Sequence, residues 1–274
     1  MFVPGGFIMG LLDSLNKAAE EENLAKELAG ITNSSDSDAG ESAIKAKSPS
    51  YYSEVVNLGF NCEVSFRICG YFKELHSYMY SWIYSHDREL LLDSLDKMHD
   101  ILSGEVEFLP DTNMIKCKKF NMSFHIKARR DELANSLGNL NEEACAEALA
   151  ELRSRASHLA DKTEKLFDSP LSTLFIYKLK FTNDWESDND YVKRMLEKIS
   201  SLYKSGRFTL LIVLEAAHAY KFTLPENEHL QIVTVPNFTN LNNVQEGNTT
   251  NDGWKEIEDK FFRKVILRKP STTI

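Results

Sequence analysis

The sequence runs Ser53-Glu-Val-Val-Asn-Leu-Gly-Phe-Asn-Cys-Glu-Val-Ser-Phe-Arg-Ile68 through the stretch that decides the fold. Val55, Val56 and Leu58 form a short apolar run that is typical of a buried strand, and Gly59 permits a sharp turn. From Glu63 to Phe72 the apolar residues recur at helical spacing. The stretch therefore predicts a strand that turns directly into a helix, with Cys62 at or near the N-terminus of that helix.

Further strands and helices alternate along the second half of the chain. Near-continuous runs of Val, Ile and Leu separated by helices are typical of a parallel sheet that is covered on both faces. We therefore expect an α/β fold, a three-layer sandwich with a mostly parallel sheet of four or five strands. The predicted strands are 55–58, 174–179, 208–214 and 230–235, and the predicted helices are 141–167, 190–204 and 254–262.

Shorter segments complete the secondary-structure prediction. Residues 87–102 have a helical pattern, and residues 105–108 and 114–125 are predicted to be extended around a turn at Pro110. The second of these segments ends at His125. Residues 264–268 are predicted to form a last strand.

The composition predicts one folded domain with an N-terminal extension. The chain has 274 residues, of which 42% are hydrophobic, so it can bury one sizeable core. Residues 11–28 have the pattern of an amphipathic helix, which is a possible docking site for a partner. Residues 30–50 are rich in Ser, Asp and Gly, so we expect a flexible linker there. The predicted boundaries are thus 1–50 for helix and linker and 51–274 for the α/β domain.

Charge and motifs exclude several functions. A net charge of −9 disfavours nucleic acid as a partner, because phosphate binding requires a basic face. The four cysteines form no metal-binding pattern and Gly59 stands outside any phosphate-binding loop, so we expect no cofactor and no metal. No apolar stretch approaches the roughly 18–20 residues that a membrane span needs, and free thiols suit a reducing compartment, so we expect a cytoplasmic protein.

The chemistry of Cys62 has two interpretations. The positive end of a helix dipole and unpaired backbone N–H groups stabilise a thiolate, which makes a cysteine nucleophilic. A free cysteine is also a small apolar residue that is often buried and inert. Position alone does not decide between a reactive and a packing role.

A family resemblance favours the reactive role. Leu58-Gly-Phe-Asn-Cys-Glu-Val-Ser-Phe-Arg67, followed by Tyr80-Ser-Trp-Ile83, resembles the opening signature of a largely bacterial family of unknown function described as papain-like cysteine peptidases. Phe124-His125 and Trp254-Lys-Glu-Ile257 match the later motifs of that family. This chain departs from the pattern at Ser81, where the family commonly has an acid. The papain fold is not a doubly wound parallel sheet, so the strand pattern decides our fold prediction.

The resemblance implies a cysteine hydrolase of the peptidase or acyl-transfer type, with a peptide or acyl substrate. A thiol hydrolase needs a nucleophile, a base and donors for the oxyanion. We assign Cys62 as nucleophile, His125 as general base, and the backbone around Cys62 with Asn61 as oxyanion donors. His218 is the rival base, because it follows a strand at the carboxyl edge of the predicted sheet, where ligands bind in this fold class.

The third member of the site is less well defined. Asp252 follows the chain order of cysteine, histidine and acid, while Asp184 and Asp188 lie just past a predicted strand and are alternatives. Gly59, Asn61, Trp82 and His218 are predicted to line the substrate cleft.

Two other functions stay open. One is a transferase or hydrolase acting on a small or glycan-linked substrate, with Cys62 structural. The other is a non-catalytic interaction protein that uses the N-terminal helix. A buried Cys62 with no histidine within hydrogen-bonding reach would favour these two functions.

Overall fold

The computed structural model describes residues 51–74, 77–134, 139–180, 182, 184–204, 206–236 and 253–267. The predicted helix at 11–28, the predicted linker at 30–50 and Asp252 lie outside these residues.

Strands and helices follow one another in a mixed α/β order within the described residues. In chain order they are β1 (Glu54–Asn57), α1 (Glu63–Phe72), β2 (Ile83–Ser85), α2 (Arg88–Ser94), β3 (Val106–Leu109), β4 (Met114–Cys117), β5 (Met122–His125), α3 (Arg130–Leu133), α4 (Glu142–Phe167), β6 (Thr173–Lys178), α5 (Trp185–Leu202), β7 (Phe208–Glu215), β8 (Leu230–Val235) and α6 (Trp254–Lys260).

The predicted parallel sheet is present. Its strand order is β1-β6-β7-β8, and every neighbouring pair is parallel. Because the strands are parallel, β1, β6, β7 and β8 all end at one edge of the sheet, which we call the carboxyl edge. Asn57, Lys178, Glu215 and Val235 are the last residues of the four strands there.

Both faces of this sheet are covered. Val55 packs in one apolar cluster with Val64 of α1 and Trp254 of α6, whereas Val56 packs in the other with residues of α4 and α5. Successive strand residues point to opposite faces, so an uninterrupted apolar run is what a doubly covered strand requires. The near-continuous Val/Ile/Leu pattern in the sequence arises because both faces of these strands are buried.

A second, antiparallel sheet was not predicted as such. Its order is β2-β5-β4-β3, and it packs against the same face of the parallel sheet as α4 and α5. The extended segments around Pro110 contribute β3, β4 and β5, while β2 has only three residues and gives no clear pattern in the sequence. A hydrogen bond from Ser85 N to Phe60 O (2.9 Å) joins this sheet to the turn after β1.

Two predicted segments differ from the structure. The helix predicted at 87–102 is α2, capped by the Asp87 side chain, followed by a separate 3₁₀ helix at Met98–Asp100. The prediction of a strand at 264–268 was wrong for the described residues 264–267. Only Val265 pairs there, in an isolated bridge to Tyr52 beside β1. None of the described helices combines the length and the apolar character needed to cross a membrane.

The conformation of the turn after β1 requires glycine at position 59, and a substitution can test this requirement. Gly59 has a φ of +103°, and a Cβ there would lie 3.2 Å from Ile83 Cδ1. We expect Gly59→Ala to lower the free energy of unfolding by about 1–3 kcal/mol, because a strained backbone conformation has a cost of that size. Urea unfolding measures the change.

Gly70 provides the matched control. It is exposed within α1, and a Cβ added there would meet no neighbouring atom within 4 Å. Gly70→Ala should raise the free energy of unfolding by about 0.5–1 kcal/mol, because alanine favours a helix over glycine. Equal effects of the two substitutions would contradict the assigned role of Gly59.

Candidate functional site

Asn57, the last residue of β1, organises the turn that leads to Cys62. Its side-chain Oδ1 accepts a hydrogen bond from Gly59 N (2.9 Å), and its Nδ2 donates to Asn61 O (3.1 Å) and to Ser65 Oγ (3.0 Å). Gly59 and Phe60 both have positive φ, at 103° and 67°. These bonds hold the turn in one shape, and they fill the space directly beyond β1 with the protein's own polar groups.

Cys62 occupies the N-cap position of α1, as the sequence predicted. Its side chain makes no capping bond; instead Asn61 Oδ1 accepts from Glu63 N (3.1 Å). Cys62 is only 6% exposed. The pKa of its thiol is raised from 9.0 to about 11: burial raises the pKa most and the Glu63 carboxylate also raises it, while a backbone hydrogen bond and the nearby Lys178 ammonium only partly oppose them. Burial therefore outweighs the helix terminus, and the thiol stays protonated at neutral pH.

His125, the predicted base, is the last residue of β5 in the antiparallel sheet, where it pairs with Met114. Burial lowers the pKa of its imidazole, and the positive charge of Arg155 lowers it further, so the ring is neutral. Within the described part of the chain, no hydrogen bond joins the Cys62 thiol to a histidine ring. Among the described residues, the structure therefore shows no nucleophile–base hydrogen bond for the predicted pair Cys62 and His125.

His218, the rival base, lies in a 3₁₀ helix at Ala216–Lys221 that directly follows β7. Strand β6 separates β7 from β1, so the two strand ends are about 10 Å apart. His218 Nδ1 lies 3.7 Å from Glu215 Oε2. This imidazole–carboxylate pair stands at the carboxyl edge, as the fold rule predicted, but it belongs to β7 rather than to the Cys62 turn.

The predicted carboxylates have other partners. Asp184 Oδ1 caps α5 by accepting from Ser187 N (3.1 Å). Asp188 is fully buried, forms an ion pair with Arg88 and accepts from Thr182 N (2.9 Å). Both alternatives to Asp252 therefore stabilise the start of α5.

Trp82, predicted to line the cleft, packs on α1. Its indole Nε1 donates to Ser77 Oγ (2.7 Å), and its ring meets Phe66 edge to face at 5.2 Å. The neighbouring Tyr78, Met79 and Tyr80 are buried in the core. This aromatic stretch packs the interior next to α1.

A buried ion pair that the sequence does not predict lies beside Cys62. Glu63 and Lys178 are 0% and 3% exposed and form a salt bridge. Trp254 Nε1 donates to the other oxygen of Glu63 (3.1 Å), and the Arg67 guanidinium lies 5.5 Å from the Trp254 ring centre. The available signal was Lys178, a charged residue inside the apolar run Leu-Phe-Ile-Tyr-Lys-Leu. Such a lysine needs a buried partner, but the sequence does not say which.

A second feature, of which the sequence indicated only His218, is a group of residues that we call the aromatic site: the exposed Trp185 and Tyr220 and the partly buried Glu215 and His218. Trp185 is 41% exposed at the start of α5, and Tyr220 is 78% exposed after β7. The ammonium of Lys221 lies 5.6 Å from the Tyr220 ring centre. The aromatic site therefore presents large aromatic rings and an imidazole–carboxylate pair at the ends of two adjacent strands.

Asn189 hydrogen-bonds both backbone segments that carry the aromatic site, the start of α5 and the segment after β7. Its Nδ2 donates to the carbonyl oxygens of Trp185 (2.8 Å) and Lys221 (3.1 Å), and its Oδ1 accepts from Thr223 N (2.9 Å). Both carbonyl oxygens contact one nitrogen, so they lie within about 6 Å of each other. The backbone on either side is thus held in a fixed relation.

These features define an α/β protein whose carboxyl edge is closed by polar contacts after β1 and presents exposed groups after β6 and β7. Comparisons with known proteins found no family model, no curated protein and no solved structure that matches the chain. The resemblance to papain-like cysteine peptidases therefore stays a hypothesis that rests on the quoted motifs.

The Glu63–Lys178 pair generates a stability prediction. Glu63→Gln leaves a buried ammonium without its counter-charge, so we expect a loss of about 3–5 kcal/mol in the free energy of unfolding. The double variant Glu63→Gln/Lys178→Met removes both charges and should recover much of that loss. Urea unfolding of the single and double variants gives the coupling between the two side chains.

An exposed ion pair serves as the control for this cycle. Lys127 and Glu151 are 70% and 49% exposed at 2.5 Å, and Lys127→Met should leave the urea midpoint nearly unchanged. A double variant that is as unstable as the sum of its single variants would refute the coupling.

Proposed function

We propose that this protein is a hydrolase or transferase that acts at a hydroxyl or ester group of a glycan-linked substrate bound at the aromatic site, with Cys62 in a structural role. One arrangement carries the proposal. The His218–Glu215 pair and the exposed Tyr220 follow β7, the exposed Trp185 begins α5 after β6, and Asn189 hydrogen-bonds the backbone of both segments. In open α/β sheets, ligands bind outside the carboxyl ends of the strands, which is where this group lies.

The aromatic rings suit a sugar. A sugar ring has an apolar face of C–H groups and a rim of hydroxyls, so it can stack on an aromatic ring while its hydroxyls bond polar groups nearby. Trp185 and Tyr220 supply exposed rings, and Lys180 and Lys221 follow the same two strands. Large exposed aromatic side chains in one region commonly mark a binding surface.

The polar pair supplies the chemistry. His218 would take a proton from water or from a sugar hydroxyl, which then attacks the acyl carbon of an ester. Glu215 Oε2 lies 3.7 Å from Nδ1, beyond hydrogen-bonding distance, and would orient the imidazole after a small movement that brings the two atoms within about 3 Å. The ester bond breaks, and the alkoxide leaving group receives the proton that His218 holds.

The test uses acetylated oligosaccharides, with binding followed by calorimetry and turnover by acetate release. Trp185→Ala and Tyr220→Ala should each weaken binding about three- to tenfold, because one aromatic contact contributes about 0.5–1.5 kcal/mol. His218→Ala should retain binding and lower turnover about 100-fold or more, because it removes the general base.

Two exposed residues outside the site are matched controls. Tyr51 is 58% exposed and precedes β1, at the opposite edge of the sheet, and His158 is exposed on α4. Tyr51→Ala should bind and His158→Ala should turn over like the parent protein. Absence of binding in the parent, or equal losses in Tyr51→Ala and Tyr220→Ala, would overturn the proposed substrate class. Binding without turnover would overturn the catalytic assignment.

A cysteine hydrolase is the second candidate. What supports it is the position of Cys62 at the N-cap of α1, with Lys178 nearby to lower the pKa of its thiol. This function requires the thiol to be accessible and to lose its proton, so it is opposed by the burial that raises the pKa to about 11.

Alkylation by iodoacetamide separates the two candidates. The thiolate is the reactive form, and a pKa raised from 9.0 to about 11 lowers the thiolate fraction at pH 8 about a hundredfold. We expect Cys62 in the folded protein to label at least that much more slowly than in urea, by peptide mass spectrometry. Fast labelling of Cys62 in the folded protein below pH 8, and its loss in His125→Ala or His218→Ala, would favour the cysteine hydrolase.

A further inference from the structure

A second group of chemically active side chains lies away from the aromatic site, between α4 and the 3₁₀ helix Met98–Asp100. His99 Nε2 is 3.1 Å from Glu164 Oε2 and 3.4 Å from Asp161 Oδ1. Asp161 and Glu164 are three residues apart on α4, so they project from the same face of the helix. One nitrogen and two carboxylate oxygens thereby converge on a point near the protein surface.

The spacing of these donors matches the coordination sphere of a metal ion. Two ligand atoms that each lie about 2.1 Å from a tetrahedral zinc ion are about 3.4 Å apart. The distances from the imidazole nitrogen to the two oxygens are 3.1 and 3.4 Å, and all three donor atoms lie within 4.8 Å of one another. The side chains would therefore need little movement to bind an ion.

Charge favours a divalent cation over a proton here. A protonated His99 carries one positive charge against the two carboxylates of Asp161 and Glu164, and its Nε2 has a single N–H to donate. A divalent ion would balance both carboxylates and take the lone pair of the neutral imidazole. Histidine together with carboxylates is a donor set that zinc and similar transition metals accept, whereas calcium and magnesium prefer oxygen ligands alone.

A cavity adjoins the cluster and leaves room for a further ligand. The cavity has a volume of about 280 Å³, and its wall includes His99 itself, with Leu102, Ser103, Arg153 and Ser157. Arg153 Nε donates to Leu102 O (2.9 Å), which fixes the guanidinium at this wall. Zinc sites with three protein ligands keep a fourth position for water or a bound molecule.

We propose that His99, Asp161 and Glu164 form a binding site for a divalent transition-metal ion of the zinc type, at the rim of this cavity. The site is independent of the proposed function of the aromatic site, because the two share no residue. The ion would join the 3₁₀ helix to α4.

The test titrates Zn²⁺ alone into the metal-free protein by calorimetry, with Co²⁺ absorption as a second readout of coordination geometry. We expect one ion to bind, and His99→Gln, Asp161→Asn and Glu164→Gln each to weaken binding at least about tenfold, since even outer-shell changes cost about 10–100-fold. All three side chains are about half exposed, so the variants should fold normally, which circular dichroism checks.

His158→Ala is the matched control, because His158 is an exposed histidine on the same helix but outside the cluster. It should bind Zn²⁺ like the parent protein. If the parent binds no ion, or if His99→Gln and His158→Ala bind equally well, then the three side chains are an exposed ion-pair cluster and the proposal is wrong.

Discussion

The buried salt bridge between Glu63 and Lys178 is the interaction on which the arrangement of the carboxyl edge depends. Removing two charges from water costs several kcal/mol per ion, so such a pair persists only when its remaining hydrogen-bonding groups are satisfied. Trp254 Nε1 provides one of these bonds, to Glu63 Oε1. The pair therefore fixes three distant segments relative to one another: the start of α1, the end of β6 and the start of α6.

This constraint explains the state of Cys62. The residue next to it in the chain carries a buried carboxylate, and the ammonium that would stabilise a thiolate is already bound to that carboxylate. Burial and Glu63 raise the pKa of the thiol by more than a backbone hydrogen bond and Lys178 lower it. A cysteine at a helix N-terminus is reactive only when it is also accessible, and the same packing that holds α1 against the sheet removes that access.

The sequence predicts those parts of the structure that follow from local pattern. The apolar run at 208–214 predicts the central parallel strand β7, because residues on both faces of such a strand must be apolar. The same argument fails for β2, which has three residues and is defined only by pairing with β5. The surroundings of the candidate catalytic residues are still harder to predict from the sequence. Cys62 is predicted at the helix start, but its burial and the partner of Glu63, 115 residues away in the chain, depend on tertiary packing. The solvent exposure of Trp185 and Tyr220 likewise cannot be predicted from the sequence.

The rule that ligands bind at the carboxyl edge of a parallel sheet applies unequally to the strands of this protein. After β1, the side chain of Asn57 bonds the following turn, and the antiparallel sheet joins that turn through Ser85 and Phe60. After β6 and β7, the Asn189 side chain hydrogen-bonds the backbone of both segments, while the side chains of Trp185 and Tyr220 are exposed to solvent. A substrate needs both rigid support and open access, and among the described strand ends those of β6 and β7 combine the two. For this reason our proposal places the chemistry at this edge on His218 and Glu215 rather than on the Cys62 thiol.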